Sequence, residues 1–160
     1  MKKTVYLILF LSFGLWAQQE KKQVNILLES WHQAAAEANF ENYFNLMTKD
    51  AVFIGTDASE NWQLEDFKSF SKPYFDKDKA WTFHPLERNI YFSKNKKTAW
   101  FDELLETDLG ICRGSGVLTL TKEGWKIQHY VLSIAIPNEN VSKIKQLNDP
   151  HDSALLEILK

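Results

Sequence analysis

Asp102, Arg113 and His129 are the polar residues of this chain whose types and placement could do chemistry together. All three fall in one strand-rich stretch, residues 100–137, WFDELLETDLGICRGSGVLTLTKEGWKIQHYVLSIAIP. A carboxylate in a ring-lined pocket has its pKa raised and can act as a general acid or base. An imidazole can shuttle the proton if a carboxylate partners it. Asp102 and His129 are therefore the candidate catalytic pair. Arg113 stands beside Gly114 and Gly116, which have no side chain to shield it. A guanidinium there offers a fork for a ligand carboxylate or phosphate, which makes Arg113 the candidate anchor, with Ser115 next to it.

Each of these residues also has a purely structural reading. Arg113 could pair outward with Glu103 or Glu106, and the acid could pair with Arg113 or Arg88. His129 shares an alternating face with Trp125, Ile127 and Val131, where a lone histidine is commonly a hydrogen-bonded wall residue. Asp102 and Glu103 point to opposite faces, as strand neighbours must. Trp100 and Leu104 flank one as apolar residues, Phe101 and Leu105 the other, so the pattern does not say which acid faces inward. Trp31, Trp62 and Trp100, with Trp81, could line a pocket for an apolar ligand or fill the core. Cys112 reads as a small buried hydrophobe. Ser115 sits in Gly-Ser-Gly and lacks the strand-to-helix elbow of a serine nucleophile. Asp57 or Ser59 reads as a helix cap. His32, His84, Cys112 and His129 have no metal-ligand spacing, so neither metal nor cofactor is expected.

The elements that must position these groups follow from periodicity. Residues 22–38 carry Val24, Leu27, Leu28, Trp31, Ala34, Ala35 and Ala38 as one helical stripe. Asn39 caps a second helix holding Phe40, Tyr43, Phe44 and Met47. Residues 51–54 form a short buried strand, and residues 63–75 a third helix with Pro73 at its end. Four strands follow, near 81–93, 98–107, 111–121 and 124–137. Pro85 makes the first of them an edge or bulged strand. Gly114 and Gly116 inside the third mark curvature or a close approach. The tail from about 138 is polar, with a helical suggestion at 153–160.

At 160 residues the chain is one domain with a sizeable core, rich in rings from its six Trp and eleven Phe. The net charge of −2, with no basic cluster, argues against nucleic acid. Residues 1–17 have the grammar of a cleavable signal peptide: Met1-Lys2-Lys3, an apolar run from Thr4 to Trp16, and the small Ala17. The domain is then residues 18–160, exported to a bacterial periplasm or beyond and free of the membrane after cleavage. Cys112 is the only cysteine, so no internal disulfide forms.

The order α-α-β-α-β-β-β-β resembles the nuclear transport factor 2-like, or SnoaL-like, superfamily. The phrases that carry it are Asp50-Ala51-Val52-Phe53-Ile54-Gly55-Thr56, Ala99-Trp100-Phe101-Asp102-Glu103, and Gly124-Trp125-Lys126-Ile127-Gln128-His129 with Ser133 beyond. They are similar to the branch found in secreted bacterial proteins and cover roughly residues 24–137. The resemblance implies an α+β cone: a curved antiparallel sheet packed with three N-terminal helices around a pocket, commonly as a homodimer through the sheet. It implies no single activity. Two features of that superfamily are missing here. Gly55 stands where the isomerase-like members place a proton-shuttling acid, and Val131 where a second histidine is common. The expected function is an exported domain whose aromatic pocket binds a small, partly apolar, anionic molecule. The alternatives are a proton-transfer enzyme (isomerase, dehydratase or hydrolase) using Asp102 and His129, and a non-catalytic assembly module.

Overall fold

The computed structural model describes residues 2–78 and 80–160, with side chains from Gln18 onward. The leader expected over residues 1–17 thus has its side chains outside the described residues. The elements in chain order are α1 (Lys2–Ala36), α2 (Phe40–Asn45), β1 (Met47–Ile54), β2 (Asn61–Gln63), α3 (Leu64–Phe75), β3 (Phe83–Phe92), β4 (Thr98–Thr107), β5 (Gly110–Thr121), β6 (Gly124–Ile134), a 3-10 turn at Asn138–Asn140, and α4 (Val141–Leu159). No helix among the described residues is long and apolar enough to cross a membrane.

The helical stripes become the roof of the core. Val24, Leu28, Trp31 and Ala35 recur at helical spacing along α1 and are all fully buried. Asn39 caps α2 as expected, its Oδ1 accepting from the Asn42 N–H at 3.1 Å. In α3 the residues Leu64, Phe67, Ser71 and Phe75 turn inward, while Glu65 and Asp66 occupy the first turn, where the helix dipole favours acids. Asp57 and Ser59 do not cap α3. The Asp57 carboxylate instead accepts from the Ser59 N–H at 2.8 Å and shapes the β1–β2 turn, because a three-residue strand intervenes before the helix.

The sheet has the order β2-β1-β6-β5-β4-β3 and curves around one face of the helices. It is antiparallel except where β1 joins β6 in parallel. Pro85 lies where expected, in the outermost strand β3, and the β3–β4 register shifts between Pro85 and Glu87. Gly110 and Gly124 take φ of +88° and +109° in the two tight turns, a region that favours glycine. Gly116 answers to a close approach: a Cβ there would lie 2.5 Å from the His129 carbonyl oxygen and 2.7 Å from the Phe101 ring.

One irregularity decides which side chains enter the core. Between β5 and β6 the register jumps, so Val117 faces His129 but Leu118 faces Ile127. This bulge resets the alternation of β6. Trp125 and Ile127 point inward, and beyond the bulge Tyr130 and Leu132 do so in place of His129 and Val131. The expectation that His129 shares a face with Trp125 and Ile127 is corrected by that single extra residue. β6 also ends at Ile134, short of Pro137.

The tail is more helical than its polarity suggests. α4 begins at Val141 and runs through Pro150. None of its residues is buried, and Leu147, Ile158 and Leu159 are strongly exposed.

Candidate functional site

The inner face of the sheet answers the question that alternation left open. Phe101, Glu103 and Leu105 of β4 point into the core, and Trp100, Asp102 and Leu104 point away from it. Glu103 is 1% exposed yet charged, so it must be paired to be tolerated. Its Oε2 accepts from Arg88 Nε at 2.8 Å, and Arg88 Nη2 lies 2.8 Å from the same oxygen. Its Oε1 is 2.9 Å from His32 Nε2 and accepts from the Tyr130 hydroxyl at 3.2 Å. Arg88 Nη1 in turn donates to Asn25 Oδ1 at 2.8 Å. Gly114 makes the space: a Cβ there would lie 2.3 Å from the Tyr130 hydroxyl and 3.0 Å from Glu103.

Burial works to raise the Glu103 carboxyl. The hydrogen bond and positive charge of His32, then those of Arg88, outweigh it and hold the group below its ordinary 4.5. Burial, followed by the Glu103 charge, pushes the Tyr130 hydroxyl well above 10.0, so it stays protonated and donates. The network clamps α1 to β3, β4 and β6. The Glu103 side chain has no exposed surface through which to meet a substrate.

A cavity of about 170 Å³ opens elsewhere, at the end of the cone where β1, β2, α3, the start of β3 and the β4–β5 turn converge. Phe53, Trp62, Phe67, Phe70, Trp81 and Phe83 supply its rings. Trp62 stacks on Phe70 with centroids 4.8 Å apart, and Phe67 lies between Phe53 at 4.0 Å and Trp81 at 5.9 Å. Phe70 and Leu109 are exposed at the rim. Such a mostly apolar concavity with a few polar groups at its edge can hold a small, partly apolar molecule.

Of the ligand residues expected from sequence, Trp62 lines this cavity. Trp31 is fully buried, stacked on Tyr43 at 4.9 Å and edge-on to Tyr130 at 4.8 Å, and is core. Trp100, Asp102, Arg113, Ser115 and His129 share the outer face of the sheet and line none of the cavity. Asp102 accepts from the Asn89 amide at 3.1 Å, and stands opposite Ser115. His129 stands opposite Val117. Strand β5 therefore separates Asp102 from His129 by two strand spacings, about 10 Å, which is too far for direct proton transfer. The pair expected from strand order fails because pairing in order puts a strand between them. Arg113 faces Leu104 and Ser133 rather than Glu103 or Glu106. Sequence reasoning missed His32 and Tyr130, and treated Arg88 only as a possible partner of an acid.

The SnoaL-like domain family matches residues 24–137. Among curated proteins none matches the chain in sequence. Solved structures do match in fold. An NTF2-like protein from Streptomyces avermitilis, provisionally assigned as a dehydratase, superposes with a TM-score of 0.66 at 12% identity, covering 76% of this chain and 99% of that one. An NTF2-like protein of unknown function from Pseudomonas putida KT2440 gives 0.64 at 12% identity, over 78% and 92% of the two chains. A protein from Exiguobacterium sibiricum, provisionally assigned as a calcium/calmodulin-dependent kinase II association domain, gives 0.59 at 21% identity, over 74% and 95%. At these identities the likeness concerns the fold alone.

Proposed function

The chain belongs to the SnoaL-like domain family, and we propose that it is an exported binding domain that takes a small, partly apolar molecule into the ring-lined cavity at the open end of its cone. The observation that carries this reading is the cavity itself: about 170 Å³, walled by aromatic rings and reachable past Phe70 and Leu109. Binding is preferred over proton-transfer catalysis because the acid held beside a histidine, Glu103, has no exposed surface. Export rests on the leader pattern of residues 1–17.

The test uses 2-naphthol, a neutral two-ring probe, followed by calorimetry and tryptophan fluorescence. Wild type is expected to bind it saturably. Trp62→Ala removes a stacked ring and is expected to weaken binding about 2–10-fold, from the 0.5–1.5 kcal/mol that such a pair contributes. Arg113→Ala is expected to leave the affinity unchanged. No saturable binding, or an unaltered affinity in Trp62→Ala, would contradict the reading.

The outer face of the sheet is the proposed surface for a second copy of the chain. Tyr91 and Trp100 stack there at 5.9 Å while remaining 46% and 44% exposed, the kind of apolar anchor that interfaces bury. Sedimentation of the wild type is expected to give a dimer, and Trp100→Glu a monomer. A monomeric wild type would contradict this assignment.

A further inference from the structure

We propose that the cavity selects a small free organic monocation, of the quaternary ammonium type, over neutral or anionic molecules of the same shape. The inference rests on the binding reading above and names the class of ligand. Arg113 is exposed on the outer face, so the anion preference expected from it has no counterpart in the cavity. Among the described residues that line the cavity, the charged ones are Glu60 and Asp108, and none is Lys, Arg or His.

Two features favour a cation. The walls are rings, and an ammonium within about 6 Å of an uncovered ring face is attracted by the aromatic quadrupole. The second is the placement of Glu60 in the lining. Its Oε2 accepts from the Asp57 N–H at 3.2 Å, and it lies over Gly55, where a Cβ would meet that oxygen at 2.1 Å. A side chain at position 55 would therefore displace the carboxylate from this place. Asp108, in the turn between β4 and β5, also lines the cavity and adds a second negative charge. An anion entering would meet two lining carboxylates and no lining Lys, Arg or His, whereas a methylated ammonium would lay its apolar methyl groups on the rings with its charge beside Glu60.

The test compares three isosteric probes by calorimetry on the full domain at neutral pH and low salt: choline, 3,3-dimethylbutan-1-ol and 3,3-dimethylbutanoate. Choline is expected to bind about 5–10-fold more tightly than the alcohol, and the carboxylate more weakly than both. Glu60→Gln is expected to abolish most of the choline advantage over the alcohol. Phosphatidylcholine vesicles, where a phosphate accompanies the headgroup, are expected not to compete. The inference is overturned if the alcohol or the carboxylate binds as tightly as choline, if choline does not bind, if vesicles compete equally, or if Glu60→Gln weakens all probes alike. Saturable 2-naphthol binding alongside such a result would leave the cavity reading standing. Absence of both would remove both.

Discussion

Glu103→Ala is expected to destabilise the fold by about 3–5 kcal/mol, because removing one partner of a buried pair strands the other charge. Arg88, whose side chain is only 6% exposed, would keep its guanidinium in the core beside Asn25 with no counter-ion. His32 and Tyr130 would lose their shared acceptor. For a domain whose whole stability is about 5–15 kcal/mol, that loss shows directly in urea unfolding at neutral pH. Glu103→Gln keeps the volume and some hydrogen bonds and is expected to fall between the two. The network also sets an acid limit. The folded carboxyl lies below its ordinary 4.5, so the unfolded chain takes up the proton first as pH falls. The stabilisation is complete above about 4.5 and fades as pH drops through that value toward the lower folded one. The acid-induced loss of stability should be shallower in Glu103→Gln than in wild type. Equal stability of Glu103→Ala and wild type would show that the network contributes nothing net.

Trp31→Ala is expected to cost a similar amount, about 3–5 kcal/mol, the range for removing a large buried ring. Trp31 is fully buried at the centre of the aromatic cluster, stacked on Tyr43 and edge-on to Tyr130, and it touches His32 at 5.4 Å between ring centroids. Its loss opens a cavity under α1 next to the Glu103 network. Trp31→Phe retains a stacking ring and is expected to cost distinctly less. The two substitutions also separate core from ligand wall. A core residue changes the unfolding midpoint and leaves probe affinity unchanged in the folded fraction, whereas a wall residue such as Trp62 does the reverse. A stably folded Trp31→Ala that has lost 2-naphthol binding would move Trp31 into the site.

Much of this architecture was legible in the chain. The 98–107 strand, the Asn39 cap, the third helix and the edge character of the Pro85 strand follow from periodicity and turn chemistry that are local by nature. The site was less legible because it is assembled by register. A β3–β4 hairpin centred between Asn95 and Lys96 sets Arg88 directly opposite Glu103. That complementary pair identifies Glu103, not Asp102, as the buried acid, and the sequence contained the signal. The bulge had a signal too: inward apolar residues pass from Trp125 and Ile127 to Tyr130 and Leu132, a step of three where a regular strand takes two. His32 had none. It lies 71 residues from its carboxylate partner, and only tertiary packing brings them together. The cavity likewise depends on four separate segments meeting at one end of the cone, which no local pattern encodes.

The central claim is that ligand enters the ring-lined end of the cone and not the outer face of the sheet, which carries Trp100, Arg113, Ser115 and His129. The most direct measurement is a backbone amide NMR titration of the domain with 2-naphthol. Saturable shifts are expected to cluster at Gly55, Trp62, Phe70, Trp81 and Leu109, with the outer strand faces unmoved. Shifts that cluster instead on Trp100, Arg113, Ser115 and His129 would contradict the account and place the ligand on the outer face of the sheet.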